Sequence, residues 1–129
     1  MPASEAITPR NTRQKDAIRR VIVAADRPLS PEEVLIAAQK HVSGISQATV
    51  YRNLAALVTD KWLQPVELPG MAARYEVAGK AHHHHFHCNQ CDKVYELEGC
   101  AVEVKPRLPR GFRATGHEFT ITGVCADCR

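Results

Sequence analysis

Apolar residues recur at helical intervals through the first half of the chain and at strand intervals through much of the second. Ile18, Val21, Ile22 and Ala25 line one face of a first helix, with Asn11 or Thr12 placed to cap it. Arg27-Pro28-Leu29 ends that pattern. Ser30-Pro31-Glu32-Glu33 then opens a second helix: Ser30 caps, Pro31 takes the first helical position, and Glu33 closes a capping box. Val34, Leu35 and Ala38 form its buried side, and the helix is expected to run to about His41. Ser43-Gly44 turns the chain, and Ser46 caps a third helix, QATVYRNLAALVTDK.

The third helix carries an apolar stripe of Val50, Leu54, Leu57 and Val58. Its other side shows Ala48, Thr49, Arg52, Ala55 and Ala56, with Tyr51 at the boundary. Small residues around one Arg and one Tyr suit a helix entering a DNA major groove. They also suit close packing on another helix, and the spacing leaves both readings open. Trp62–Leu68 and Arg74–Val77 read as two strands joined through Pro69-Gly70, which completes the order of a winged helix. Beyond it, strands are expected at His82–His87, Val94–Leu97, Phe112–Thr115 and Glu118–Val124, with a short helix beginning near Cys100 and limited by Pro106 and Pro109. The expected class is therefore α+β. A winged-helix domain fills residues 1–78 and a small α/β metal-binding domain residues 79–129, with a hinge at about 77–81.

Composition narrows the function. A chain of 129 residues with 44% hydrophobic and 24% charged content is that of a globular protein. No apolar run is long enough to span a bilayer. The opening MPASEAITPR lacks the apolar core of a signal peptide, so a cytoplasmic location is expected. The formal charge of +3 says little, but Arg10, Arg13, Lys15, Arg19 and Arg20 crowd the first twenty residues.

Four of the five cysteines form two pairs, Cys88-x-x-Cys91 and Cys125-x-x-Cys128, separated by thirty-three residues. In a reducing compartment this is the pattern of a closed, structural Cys₄ zinc site. Cys100 has no partner by spacing and is expected to be a small buried residue. His82, His83, His84, His85 and His87 run into the first cysteine pair. On a strand, His83, His85 and His87 point one way and His82 and His84 the other, so one strand can serve two metal sites. Glu76, Glu96, Glu98, Glu103 and His117 could complete them. Imidazole and carboxylate suit zinc, ferrous iron or manganese. A single surface site for adventitious metal would also use such a run.

ATVYRNL on the third helix, the His-rich strand running into CxxC, and the terminal CxxC together resemble the ferric uptake regulator family, over about Thr12 to Cys128. The resemblance implies a homodimeric winged-helix repressor, its second domain also serving dimerisation, that binds A/T-rich palindromic DNA with a regulatory metal bound. It assigns Tyr51 and Arg52 to base and phosphate contacts and Lys15 to the DNA backbone. It matches Cys88, Cys91, Cys125 and Cys128 to a structural zinc site, and Glu76, His83, His85 and Glu96 to a hinge sensor site. His82, His84, Glu103 and His117 match an additional site. Where the family often has a further sensor His, this chain has Pro28. That argues against peroxide sensing by His oxidation, and it leaves four sensor ligands, a number that favours zinc slightly. Zinc sensors commonly add a hinge Cys, however, and none lies between Lys61 and Ala81. The expectation is no enzyme, no membrane and no small-molecule substrate. A metallohydrolase and a metal store or chaperone are the rival readings.

Overall fold

The computed structural model describes residues 9–100 and 105–129, which fall into two compact units, Met1–Gly79 and Lys80–Arg129. The first unit contains α1 (Arg10–Ala25), α2 (Pro31–Ala38), α3 (Gln47–Thr59) and an antiparallel hairpin of β1 (Leu63–Val66) and β2 (Arg74–Val77). Leu29 adds a single bridge to Tyr75, extending the hairpin by one strand-like residue. Helices followed by a hairpin make a winged helix.

The first helix begins at Arg10 after Pro9, with no side-chain cap, so neither Asn11 nor Thr12 serves as the expected cap. Proline already supplies an extended residue there, and the helix takes its stability from the face it buries. Ser30 builds the expected capping box with Glu33, and α2 then stops at Ala38, short of His41. Ser46 caps α3 by accepting from the Thr49 amide. Thr49, expected on the outer face, is buried, because its hydroxyl joins the Ser46 cap. Ile18, Val21, Ile22, Val34, Val50, Leu54, Leu57 and Leu63 form one continuous core. Each fully buried Leu or Ile there contributes roughly 1.5–3 kcal/mol.

The second unit is a three-stranded sheet in the order β4-β3-β5, with β3 at His83–Cys88, β4 at Val94–Glu98 and β5 at Thr120–Gly123. β4 pairs antiparallel with β3, and β5 pairs with it in parallel. Gly123 lets Phe86 pack closely in that last pairing: a Cβ there would lie 3.2 Å from the ring, which would have to give by a few tenths of an ångström. Phe112–Thr115 is not a strand, contrary to expectation. Phe112 is 69% exposed, so the alternation buries no face that would hold it in a sheet. Residues 101–104, where the short helix was expected to begin, lie outside the described residues, and residues 105–119 contain no helix. Pro106 and Pro109 remove backbone donors from that stretch.

Candidate metal centres and nucleic-acid face

The two cysteine pairs meet at the β3 end of the sheet. The chain turns sharply after Cys88, with Asp92 donating its amide to the Cys88 carbonyl and adopting a left-handed φ of 67°. This turn aims the Cys91 amide at Cys88 Sγ, at 3.5 Å, and the segment after β5 brings the Cys125 amide to the same sulfur, at 3.3 Å. A second tight turn closes Cys125–Cys128. Cys91 Sγ and Cys125 Sγ are 3.8 Å apart, and all four sulfurs lie within 4.8 Å of one another. A tetrahedron with Zn–S bonds of about 2.3 Å has edges of about 3.8 Å. The donor set therefore fits zinc in size as well as softness.

The thiols also differ in readiness to ionise. The Cys91 amide, opposed by burial and joined by other backbone amides, lowers the Cys88 pKa to about 6. At Cys125 burial acts upward, but hydrogen bonds from Tyr95 and from Cys128 carry the pKa below its ordinary value. Hydrogen bonding to Cys125, then to Cys91, together with burial, pushes Cys128 up to about 12. Packed sulfurs cannot all hold negative charge without a cation among them.

On one face of β3 lie His83 and His85, with ring centroids 4.9 Å apart. His83 Nδ1 is 2.8 Å from the Ala81 carbonyl oxygen. A carbonyl only accepts, so Nδ1 carries a proton, and in the neutral ring Nε2 is then the ligating atom. Nε2 lies 3.8 Å from Glu96 Oε1, and Glu96 also pairs with Lys80 at 3.2 Å. β-register places His85 opposite Glu96. Glu76, the remaining expected sensor ligand, belongs to the first unit, where it is 1% exposed and accepts from the Gln64 amide across the hairpin. Pro28 is fully buried.

The opposite face of β3 carries His84, 3% exposed, with Phe119 stacked on its ring at 3.8 Å. His84 Nε2 lies 3.2 Å from His117 Nε2, and His82 sits edge-on to both rings. Burial first, then the neighbouring imidazoles, lowers the His84 pKa and favours its neutral, ligating form. Glu103, expected here, lies outside the described residues. In the same cluster is Cys100, whose Sγ lies 3.2 Å from His117 Nε2. It is exposed, not buried as expected, since it lies beyond the paired residues of β4 and after the left-handed Gly99 at φ 65°. Nothing in the Cys100 sequence context signalled this neighbourhood. His87 turns away to Asp92, at 2.6 Å, and braces the first cysteine turn.

In the first unit, Tyr51 and Arg52 lie on the exposed side of α3, next to exposed Ala48 and Ala55. Tyr51 Oη is 3.4 Å from Glu32, and Arg52 donates to the Thr49 hydroxyl at 3.1 Å. Lys15 on α1 pairs with Asp60 at the end of α3 at 3.4 Å. Among the described residues, no helix is long and apolar enough to cross a membrane.

The sequence profile of the Ferric uptake regulator family matches residues 7–122. The ferric uptake regulation protein of Campylobacter jejuni is 30% identical over 122 residues, covering 91% of this chain and 78% of that protein. The Bacillus subtilis protein of the same name is 32% identical over 124 residues, covering 91% and 83%. Among solved structures, the Helicobacter pylori ferric uptake regulator, described as having three functional metal binding sites, shares the fold. Its TM-score is 0.62 at 23% identity, covering 93% of this chain and 84% of that one.

Proposed function

The chain belongs to the ferric uptake regulator family, and from that premise we propose that it is a cytoplasmic, homodimeric repressor whose grip on A/T-rich palindromic operator DNA is switched by a divalent metal. Members of this family are metal-dependent transcription regulators and not enzymes, which sets aside a metallohydrolase. The proposed reader is the first unit, with Tyr51 and Arg52 of α3 at base edges and phosphates and Lys15 along the backbone. The proposed structural zinc is held by Cys88, Cys91, Cys125 and Cys128. The proposed sensor site takes His83, His85 and Glu96 from the second unit and Glu76 from the first, around a hinge at 77–81. Zinc is favoured slightly over iron or manganese because four protein ligands suit a tetrahedral ion.

The observation that carries this reading is β3 itself. Its alternation presents His83 and His85 on one face and His84 on the other, while its end supplies Cys88. One strand thus takes part in three ligand groups. A bound cation supplies a positively charged cross-link to the sensor carboxylates. The residues do the rest: the Ala81 carbonyl holds His83 in its ligating tautomer, and Glu96 exchanges the Lys80 ammonium for the metal. Ligation by Glu76 together with the second-unit residues narrows the positions open to α3. Two copies of α3 then match successive major grooves. A differential affinity of a few kcal/mol between the two arrangements suffices for such a switch.

The test is fluorescence anisotropy on an A/T-rich palindromic duplex, titrating metal-stripped dimer with zinc, manganese and anaerobic ferrous iron. Binding should appear at far lower concentration with one metal than with the others. His83→Ala/His85→Ala should abolish that response while leaving a folded dimer. DNA affinity that is the same with and without every metal would overturn the switch.

A further inference from the structure

Cys100 is the thiol that neither the paired cysteines nor the proposed sensor site uses, and it does not lie alone. Its Sγ is 3.2 Å from His117 Nε2, which is 3.2 Å from His84 Nε2. With His82 added, the four donor atoms all lie within 4.8 Å of one another. We propose that His82, His84, Cys100 and His117 form a closed His₃Cys zinc site, with Cys100 as the fourth ligand. The site stands on the second unit alone and does not depend on the gene-regulatory reading.

Three independent features support the assignment. The first is size. With Zn–N near 2.0–2.1 Å and Zn–S near 2.3 Å, the edges of a tetrahedral site are about 3.3–3.6 Å. The observed separations of 3.2 Å need only a slight expansion to admit the ion.

The second is placement by the fold. His82 comes one residue before β3, and its ring lies 4.6 Å from that of His84 on the strand. His117 arrives three residues before β5, which pairs with β3 in parallel, and Cys100 arrives two residues after β4, which pairs with β3 antiparallel. Phe119, stacked on His84 with an interplanar angle of 21°, fixes that ring with its Nε2 toward His117. Phe119 is a positioning residue.

The third is chemistry. Facing Nε2 atoms on His84 and His117 can share one proton at most between them, and His84 is too deeply buried to turn to water. A cation satisfies all the lone pairs at once. A thiolate among the imidazoles makes the site soft, so zinc is preferred to manganese or ferrous iron. Four protein ligands leave no open position, so the site retains metal without performing chemistry on a bound water.

The test uses the full-length protein with its Cys₄ zinc in place and the sensor site disabled by His83→Ala/His85→Ala, so that further zinc has one place to go. Iodoacetamide labelling followed by peptide mass spectrometry reads Cys100 separately from the other four thiols. One added equivalent of zinc should slow Cys100 labelling roughly tenfold or more, and His117→Ala should restore it. In a competitive zinc titration, Cys100→Ser should weaken this equivalent by roughly tenfold or more, the scale on which even outer-shell losses act. Glu103→Gln should change it less than about threefold on the same scale. The proposal is overturned if Cys100 labels equally fast with the added zinc bound, or if Glu103→Gln abolishes binding and Cys100→Ser does not. It is also overturned if no added zinc binds in this background. None of these readouts involves DNA, so a failed repressor assay would leave the result intact.

Discussion

The two units of this chain are stabilised by different physics. The first buries a contiguous set of aliphatic residues from all three helices and the hairpin, with Ile18, Val34, Val50 and Leu57 fully inaccessible. In the second, the buried hydrophobic residues among those described are Val94 and two cysteines, Cys88 and Cys125, accompanied by a buried imidazole, His84. Much of its interior is made of the cysteine and histidine atoms proposed as metal ligands. A unit this short is marginal on apolar burial alone, and cross-linking by metal is the usual remedy. The lesson is that the helical unit should be sensitive to volume and the sheet unit to coordination.

Metal removal is the strongest way to test that division. Structural zinc sites are worth roughly 10–16 kcal/mol of apparent binding free energy. Stripping the Cys₄ zinc, or substituting Cys88→Ser, should therefore unfold the sheet unit and leave the helices folded. Amide exchange would report it, and persistent protection of the β3 and β4 amides after metal loss would break the comparison. The reverse experiment is Leu54→Ala, which should cost the helical unit about 2–5 kcal/mol through lost burial and a cavity. Zinc content should not change; zinc loss in step with helix unfolding would show that the units are not independent.

Smaller effects sharpen the comparison. Arg52→Ala should weaken operator binding by about 1–3 kcal/mol, without altering thermal stability or metal content. Full affinity retained at matched salt would remove Arg52 from the proposed DNA face. The smallest effect concerns Glu33. Burial works against its charged form, but the Arg27 hydrogen bond, the Ser30 amide and the Arg27 charge hold its pKa below the ordinary value. A depressed folded pKa means that the stabilisation is present at neutral pH, above the unfolded value. It is lost as pH falls through the folded value. Glu33→Gln should cost about 1 kcal/mol or less at neutral pH and flatten that acid limb in a denaturant series. An unchanged acid limb would show that the pair adds nothing.

Much of this was legible in the chain itself. The Ser30 and Ser46 caps, the Leu54–Leu57 stripe and the hairpin at Arg74–Val77 follow from local spacing and turn chemistry, and they stand where expected. Other expectations failed where the outcome was not local. Thr49 was placed outside by helical phase alone, but its hydroxyl joins the helix cap. Phe112–Thr115 had an acceptable strand composition and no buried face to hold it. Cys100 looked like a leftover because spacing pairs a cysteine only with its near neighbours.

What the sequence determined by itself is therefore the local framework: where helices start, which β3 residues share a face, and which cysteines form turns that can hold zinc. These depend on backbone periodicity and on contacts a few residues apart. Only the tertiary structure decided that β5 joins β3 in parallel, and that Cys100, after β4, comes up to the His84 and His117 pair that the resemblance had matched. Strand partners and ligand sets drawn from distant segments are chosen by the packing of the whole sheet, and no window of sequence contains that competition.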